Sequence, residues 1–172
     1  MNIRIGQGVD FHRLEKDLDF WIGGVKIPSS KGCVAHSDGD VLLHAICDAL
    51  LGAAGLRDIG NYFPDTSTEF KNIDSKILLK KTFDLIKAKG YHVENIDSTV
   101  CLEQPKISPF ITEMRNIISA IVDTEAENIA VKATTTEKLG FAGREEGIMA
   151  IAVVLLARGR SKKVNSNQLK YH

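Results

Sequence analysis

The sequence predicts a single domain that mixes α and β structure (α/β, of the α+β class), with helices packed on one face of a mixed β-sheet. The chain has 172 residues, a length that suits a single domain with a sizeable core. Strand-like and helical segments alternate along it, and the longest apolar run, Ile148 to Ala157, has the length of a buried strand. About four main strands and a small hairpin are expected. The domain should span 1–158, and the polar, basic tail 159–172 is expected to be mobile.

The first third of the chain predicts a strand, a hairpin and a helix. Residues 2–12 form the strand, and 20–28 form a hairpin that turns at Gly23-Gly24. The helix covers 40–56, and either Asp38 or Asp40 can cap its first turn. Its apolar side is formed by residues at helical spacing: Leu42, Ile46, Ala49, Leu50 and Ala53. Its opposite side carries polar residues: Asp40, His44 and Asp48.

The remaining elements are predicted from residues that interrupt helices and strands and from the apolar pattern between them. Residues 57–73 carry glycine, proline and small polar residues, so a long loop of the kind that covers binding sites is expected there. A helix begins at Asp74-Ser75, runs to Lys89 and ends at Gly90. The later segments are, in order, a strand over 92–102, a helix from Pro109 to about Val122, a strand over 128–133, a polar loop over 134–147 and a strand over 148–158.

Composition excludes several function classes. Apolar residues make up 44% and charged residues 26%, and the 22 acidic residues balance the 22 basic ones, so neither nucleic acid binding nor disorder is indicated. Three cysteines far apart indicate a reducing cytoplasm rather than a disulfide framework. No signal-like run opens the sequence, and the longest apolar stretch is too short to span a membrane, so no membrane is expected.

Asp10 and His12 are the first candidate metal ligands. They lie two residues apart on a predicted strand, so both side chains leave the same face. With His44 as third ligand, they offer one oxygen and two nitrogens and leave a coordination position open, as catalytic zinc sites do. Manganese or cobalt would also fit. Cys47 is a rival ligand, although soft thiolate ligands usually occur in sets.

Ordinary explanations also exist for these residues. An Asp-x-His pair often caps a turn or faces solvent, and a histidine on a polar helix face is often simply solvated. Asp40 and Asp48 can likewise be solvated, or one of them can orient an imidazole from behind.

The segment from Lys132 to Arg144 is a candidate phosphate site. It combines hydroxyls, glycines, two lysines and an arginine, which together can hold phosphate oxygens. Glu137 would repel a phosphate unless a cation bridged the two, which indicates a second, hard ion such as magnesium. For the segment taken alone, an ordinary polar turn is the slightly better explanation. The connection Gln104-Pro105-Lys106 reads by default as a strand-to-helix link.

Taken together, the segments resemble the 2-C-methyl-D-erythritol 2,4-cyclodiphosphate synthase family over residues 3 to about 158. The stretches that carry the resemblance are Arg4 to His12, Ile22 to Pro28, Ala35 to Ala45, Asp48 to Ala54, Asp58 to Thr66 and Val131 to Gly147. The run Val131-Lys132-Ala133-Thr134-Thr135-Thr136-Glu137-Lys138-Leu139-Gly140-Phe141 is the most specific of them.

The resemblance implies a reaction in the non-mevalonate route to isoprenoid precursors. The substrate would be 4-diphosphocytidyl-2-C-methyl-D-erythritol 2-phosphate, whose 2-phosphate attacks the β-phosphorus of its own diphosphate. CMP leaves and a cyclic diphosphate forms, which makes the enzyme a phosphorus–oxygen lyase. No side-chain nucleophile is needed, so positioning and charge neutralisation carry the catalysis.

The resemblance also implies a role for each matching residue. Asp10, His12 and His44 would hold zinc, and Glu137 a Mg²⁺ or Mn²⁺ ion that bridges the diphosphate. His36 and Thr135 match the transition-state stabilisers. The implied substrate contacts are Asp10, His12, His36, Ser37, Asp58, Ile59, Gly60, Phe63, Pro64, Asp65, Thr66, Ser67, Leu102, Glu103, Gln104, Pro105, Lys106, Ile107, Ser108, Thr134, Thr135, Thr136, Glu137, Phe141 and Arg144.

Within that set, three segments have distinct roles. Residues 58–60 and 63–67 match a mobile loop over the methylerythritol unit, and 102–108 match the cytidine-contacting segment. Members of the family are homotrimers with active sites between protomers, and an axial cavity can hold an isoprenoid diphosphate. Gln7 departs from a common histidine, and Glu103 puts a negative charge in the cytidine-contacting segment. If that side chain points inward, it would alter affinity.

Two other kinds of protein could use the same residues. One is a non-catalytic binding module for nucleotides or isoprenoid phosphates, which would hold a closed, four-ligand zinc. The other is a metal-dependent phosphohydrolase, which would use the triad to activate water and release free phosphate.

Overall fold

A five-stranded mixed sheet with helices on one face forms the core of the protein, as the sequence predicts. The computed structural model describes residues 2–64 and 66–158, so the predicted mobile tail, 159–172, lies outside the described residues. The elements are β1 (Ile3–Lys16), β2 (Trp21–Ile22), β3 (Val25–Lys26), β4 (Lys31–Val34), α1 (Val41–Ala53), α2 (Ile59–Tyr62), α3 (Ser75–Ala88), β5 (Tyr91–Cys101), α4 (Ile111–Val122), β6 (Ile129–Thr134), α5 (Gly140–Gly143) and β7 (Gly147–Arg158).

The strand order in the sheet is β4-β1-β7-β5-β6, and β2 and β3 form a separate two-stranded hairpin. Only β5 and β6 run parallel, while β7 pairs antiparallel with both β1 and β5. The apolar run at the end of the chain thus forms the central strand. Its buried face carries Ile148, Ala150, Ala152, Val154 and Leu156, all of which are fully buried.

One strand of the sheet was not predicted. β4 pairs with the end of β1, which extends four residues beyond its predicted end at His12. The sequence Lys31-Gly32-Cys33-Val34 lacks the apolar alternation that marks a strand. Gly32 permits the pairing because a Cβ there would lie 2.1 Å from the carbonyl oxygen of Asp19.

The two predicted loops are also partly helical. Within 57–73 lies the short helix α2, whose N-cap Asp58 accepts a hydrogen bond from the backbone N–H of Asn61. A 3₁₀ turn follows at Thr68–Phe70. Within 134–147 lies α5, one turn long. Single turns of helix have no measurable periodicity, so the sequence pattern could not reveal them.

The polar face predicted for α1 is not a solvated face. Asp40 caps the helix and is fully buried, accepting hydrogen bonds from the backbone N–H groups of Leu43 at 3.0 Å, Gly23 at 2.9 Å and Gly24 at 2.6 Å. Burial raises the pKa of this carboxyl, and the backbone donors act against that rise. The hairpin turn at Gly23-Gly24 is therefore held against the start of α1. Among the described residues, no helix has both the length and the apolarity to cross a membrane.

The side of α1 that faces β1 approaches the strand very closely. A Cβ on Gly6 would lie 1.9 Å from the carbonyl oxygen of Ala49, and one on Gly8 would lie 2.0 Å from that of Ala45. Two glycines on the strand and small residues on the helix therefore allow backbone-to-backbone packing. This contact sets the distance between side chains on β1 and side chains on α1.

We expect Gly8→Ala to destabilise the fold, because backbone atoms of α1 cannot move aside without shifting the helix. Overpacking against side chains costs about 1–3 kcal/mol, so a cost of about 3 kcal/mol or more is expected here. Gly52→Ala is the matched control. Gly52 lies in α1, and the nearest atom to a Cβ there would be the Gln7 carbonyl oxygen, at 3.9 Å. Alanine should therefore fit and stabilise the fold by about 0.5–1 kcal/mol. Urea unfolding of metal-free protein measures both, and equal effects would contradict the packing argument.

Candidate active site

Asp10, His12 and His44 converge, as the spacing on β1 predicted. Even-numbered residues of β1 face α1, so Asp10 and His12 leave the strand on the helix side, where His44 meets them. Asp10 Oδ2 lies 3.1 Å from His12 Nε2 and 3.2 Å from His44 Nδ1, and the two nitrogens are 3.1 Å apart. A tetrahedral zinc ion with bonds of about 2.0 Å holds its ligand atoms roughly 3.3 Å apart. The donor set therefore fits a divalent transition metal.

The electrostatics of the triad favour a charged carboxylate. Burial alone would raise the pKa of Asp10, but hydrogen bonds and charge interactions with His12 and His44 lower it below its usual range. Burial would lower the pKa of His44, and Asp10 more than offsets this, so that pKa is raised. Cys47, the rival ligand, is fully buried outside the triad, and burial raises the pKa of its thiol to about 12. Such a thiol is a poor metal ligand at neutral pH.

The triad opens onto a cavity of about 430 Å³. Of the predicted site residues, those that line it are Asp10, His12, His36, Ser37, His44, Ile59, Gly60, Phe63 and Pro64. Sequence reasoning missed the apolar part of the wall, which consists of Ala35, Phe70, Ile73 and Leu78. Among the described residues, the only group of three or more ligand-type side chains close enough for one ion is this triad, so an ion held there would keep a coordination position for a ligand in the cavity.

The residues behind His44 are not those that the sequence suggested. Asp40 binds the hairpin turn, and Asp48 accepts a hydrogen bond from the backbone N–H of Ile59 at 2.7 Å. Instead, His44 Nε2 lies 2.9 Å from the hydroxyl oxygen of Ser75 and 3.2 Å from that of Ser37. Ser75 belongs to α3, 31 residues away along the chain, so no local pattern could have identified it.

A second cavity of about 180 Å³ lies at the predicted cytidine-contacting segment. Its lining residues are Leu102, Pro105, Lys106, Ile107, Ser108, Ala133, Thr134 and Thr135. The structure thus brings the end of β5 and the end of β6 together, as parallel pairing of these strands requires. This cavity shares no lining residue with the cavity at the triad. Within one described chain, the predicted site is therefore divided in two.

Glu103 does not point toward a ligand. Its side chain is 4% exposed, and Oε1 accepts hydrogen bonds from the backbone N–H groups of Thr136 at 3.1 Å and Lys138 at 3.2 Å. Oε2 lies 2.9 Å from Lys138 Nζ. The Lys138 side chain and these backbone donors lower the pKa of Glu103 to about 2, against a smaller opposing effect of desolvation. The carboxylate thus occupies two backbone donors of the segment that we expected to hold phosphate.

Glu103 also supports an unusual backbone. Glu137 and Lys138 both have positive φ, at 53° and 64°, which is uncommon for residues other than glycine. Such a conformation costs energy and persists only where the surroundings stabilise it. We attribute that stabilisation in part to the hydrogen bonds that Glu103 accepts on either side of Glu137.

The remaining cations of the predicted phosphate segment are paired within the chain. Lys132 pairs with Asp97 on the neighbouring strand, and Arg144 makes two hydrogen bonds to Glu146, both at 2.9 Å. The hydroxyl of Thr135 donates to Glu137 at 2.9 Å. None of these groups lines the triad cavity.

Several predicted contacts lie outside both cavities in the described chain. They are Asp58, Thr66, Ser67, Glu103, Gln104, Thr136, Glu137, Phe141 and Arg144. Asp65 lies outside the described residues. The backbone carbonyl of Ser67 lies 3.0 Å from His36 Nε2, which ties the covering loop to the cavity wall. Phe141 packs against Phe11 with ring centroids 5.8 Å apart.

A mixed sheet that presents an open Asp-His-His triad to a cavity defines a candidate catalytic metal centre. Comparison with known proteins identifies the family. The chain belongs to the YgbB family, whose family model matches residues 3–157. This confirms the resemblance and its extent.

Named relatives cover nearly the whole chain. A Bacteroides thetaiotaomicron protein named 2-C-methyl-D-erythritol 2,4-cyclodiphosphate synthase is 58% identical over 158 residues, which is 92% of this chain and 99% of that protein. A Plasmodium falciparum structure described as an IspF CDP complex is 36% identical, with a TM-score of 0.81 over 92% of this chain and 98% of that one. The bifunctional IspDF of Campylobacter jejuni is 44% identical, with a TM-score of 0.89; the match covers 92% of this chain and 43% of that longer protein.

We expect Glu103→Ala to loosen the turn at 136–138. Loss of the acceptor frees the N–H groups of Thr136 and Lys138, so their amide hydrogen exchange should accelerate about tenfold or more. Lys138→Ala is the matched control, because it removes the ion pair and leaves both backbone hydrogen bonds to Oε1. Exchange measured by NMR distinguishes the two. Unchanged exchange in Glu103→Ala would contradict the role assigned to Glu103.

Proposed function

We propose that the chain is a phosphorus–oxygen lyase that converts 4-diphosphocytidyl-2-C-methyl-D-erythritol 2-phosphate to 2-C-methyl-D-erythritol 2,4-cyclodiphosphate and CMP. The observation that carries the proposal is the triad of Asp10, His12 and His44, which opens onto a cavity in a chain of this family. The names of the relatives supply the product, and the family resemblance supplies the substrate and the release of CMP. The reaction places the protein in the non-mevalonate route to isoprenoid precursors, and we expect it to act in the cytoplasm.

The reaction needs little covalent chemistry from the protein. A phosphate oxygen of the substrate bonds to the β-phosphorus, the bond from that phosphorus to the CMP oxygen breaks, and CMP carries away the electron pair. Asp10, His12 and His44 would hold zinc or a similar ion, and Glu137 a Mg²⁺ or Mn²⁺ ion. Bound there, the metals supply Lewis-acid stabilisation of the phosphate oxygens.

The chain's own residues orient the substrate. The narrow cavity at Pro105, Lys106 and Thr134 is the proposed cytidine site, and a relative described as a CDP complex supports a cytidine nucleotide there. The triad cavity, with Phe63 and Ile73 in its wall, is the proposed methylerythritol site. His36 and Thr135 are the proposed transition-state stabilisers. Holding both reacting phosphates of one molecule in place lowers the barrier through orientation.

We further propose that the protein acts as a homotrimer. The triad cavity and the cytidine cavity have no residue in common, so a neighbouring protomer would bring its 131–147 segment to the triad. The sheet face opposite the helices supports this proposal. On it lie Ile5, which is 71% exposed, Phe11 at 54% and Val153 at 40%. Although Phe141 of the one-turn helix α5 packs against Phe11, these side chains stay exposed, and such an apolar face indicates an interface.

The two other classes predict different behaviour. A binding module would hold the nucleotide without turnover, and a phosphohydrolase would release inorganic phosphate. The three-ligand triad favours catalysis over a closed structural zinc site. An isoprenoid diphosphate in the axial cavity of the trimer stays a prediction from the resemblance.

We expect wild-type protein, loaded with zinc and supplied with Mg²⁺ or Mn²⁺, to release CMP and the cyclic diphosphate in equal amounts. His44→Ala should abolish turnover and weaken zinc binding by more than about tenfold, because one ligand is lost. His92→Ala is the control, since that histidine lies on β5 and pairs with the exposed Glu94. Chromatography of the products distinguishes the three classes. If metal-loaded wild type releases no CMP, the proposal is rejected, and release of free phosphate would identify a hydrolase.

We expect Val153→Glu to disrupt the trimer. The substitution places a carboxylate on the central strand, within the apolar sheet face, where burial against a neighbour would be costly. Turnover should fall with the trimer if the site is shared. Ile77→Glu is the control, because Ile77 is 47% exposed on α3 of the helix layer. Analytical ultracentrifugation measures the assembly, and an active monomer would contradict the shared site.

A further inference from the structure

The two ring nitrogens of His44 have different partners. Nδ1 faces the triad, 3.2 Å from Asp10 Oδ2 and 3.1 Å from His12 Nε2. Nε2 faces away from it, 2.9 Å from the hydroxyl oxygen of Ser75. A neutral imidazole carries one proton, so the partner of Nε2 determines whether Nδ1 is free to bind a metal.

The hydroxyl of Ser75 has only one proton to donate, and that proton is already used. The Ser75 hydroxyl oxygen lies 2.5 Å from Asp38 Oδ1, and a carboxylate can only accept. Ser75 therefore donates to Asp38, and toward His44 it can only accept. It follows that Nε2 of His44 carries a proton, so that in the neutral imidazole, the form that binds a metal, the lone pair is on Nδ1 and points into the triad.

Asp38 is held rigidly in this arrangement. Its Oδ2 accepts a hydrogen bond from the backbone N–H of Ser75 at 3.0 Å, and its Oδ1 accepts one from that of Asp40 at 3.2 Å. Ser75 is fully buried in the first turn of α3. The chain Asp38–Ser75–His44 thus joins the turn before α1, the helix α1 and the helix α3.

We propose that Ser75 and Asp38 are positioning residues that hold His44 in the Nε2-protonated tautomer, so that Nδ1 is the atom that binds the metal. This inference rests on the metal site of the proposed function and adds two residues to it. Neither residue lines either cavity or belongs to the triad. Groups that orient a metal-binding histidine in this way typically change metal affinity by about 10–100-fold when removed.

A consequence concerns Ser37, which lines the cavity. Its hydroxyl oxygen accepts from the backbone N–H of Gly39 at 3.2 Å and lies 3.2 Å from His44 Nε2. With the proton of the imidazole on Nε2 and shared between Ser75 and Ser37 in a bifurcated hydrogen bond, Ser37 accepts from both groups. Its own proton is then available to a phosphate oxygen in the cavity.

The test is the zinc affinity of metal-free protein, measured by competition with a chelating dye. We expect Ser75→Ala to bind zinc about 10–100-fold more weakly than wild type. We expect at least the same loss from Asp38→Asn, because an amide N–H can donate to Ser75 and release its hydroxyl proton toward Nε2. That reversal would favour the wrong tautomer of His44.

Two substitutions serve as matched controls. Ser98→Ala removes another buried serine hydroxyl, which donates to the Ala130 carbonyl oxygen at 2.8 Å. Asp74→Asn removes a charge beside Ser75 while keeping a side chain that can cap α3. Both should bind zinc as wild type does. Thermal unfolding of each metal-free variant separates loss of affinity from loss of fold.

Three outcomes distinguish the inference from the proposed function. If wild type binds zinc and releases CMP while folded Ser75→Ala and Asp38→Asn keep its affinity, the inference is wrong and the function stands. If wild type binds no zinc, the metal site itself is wrong, and the inference falls with it. NMR of ¹⁵N-histidine in metal-free wild type at alkaline pH needs no substitution. A protonated Nδ1 on His44 would overturn the inference even if a variant failed to fold.

Discussion

The close contact between β1 and α1 is the constraint on which the candidate site depends. Asp10 and His12 lie on the strand and His44 lies on the helix. The packing distance between these two elements therefore determines how close the donor atoms come to one another. Gly6 and Gly8 let the backbone of α1 approach to a distance that any side chain would prevent. The glycines come two and four residues before Asp10 on the same strand face. One short stretch of sequence therefore specifies both the ligands and the packing that brings the third ligand to them.

The acidic residues around α1 act mainly by accepting hydrogen bonds that join α1 to the neighbouring segments. Asp40 joins the helix to the hairpin turn, and Asp38 joins the preceding turn to α3. Asp48 holds the start of α2, next to the cavity wall. Each of these carboxylates accepts backbone N–H groups, which satisfies donors that would otherwise be costly to bury. The histidine ligand is thereby placed by a framework of three neighbouring segments, and not by helix packing alone.

The sequence predicted the elements that have a clear apolar pattern and the functional residues that lie close together along the chain. The apolar periodicity of α1, the start and stop residues of α3 and the long apolar run of β7 identified these elements, and the two-residue spacing of Asp10 and His12 placed both on one face. Sequence alone did not reveal β4, which has no alternation, or the partners of His44 and Glu103. Ser75 is 31 residues from His44, and Lys138 is 35 residues from Glu103. Such pairs form only when the chain folds. Nothing in the sequence indicates which distant donor a polar side chain will contact.

The pairing of charges within the chain has a consequence for the chemistry. Lys138 is held by Glu103, Lys132 by Asp97 and Arg144 by Glu146. In the proposed function a substrate with three phosphate groups would meet a segment whose cations already have carboxylate partners. Bound divalent ions would then supply much of the positive charge that stabilises the transition state, and the chain would supply geometry and hydrogen-bond donors. This division of labour explains why a protein of zero net charge can act on a highly anionic substrate. It also makes the placement of His44, through Asp38 and Ser75, as important as the donor atoms themselves.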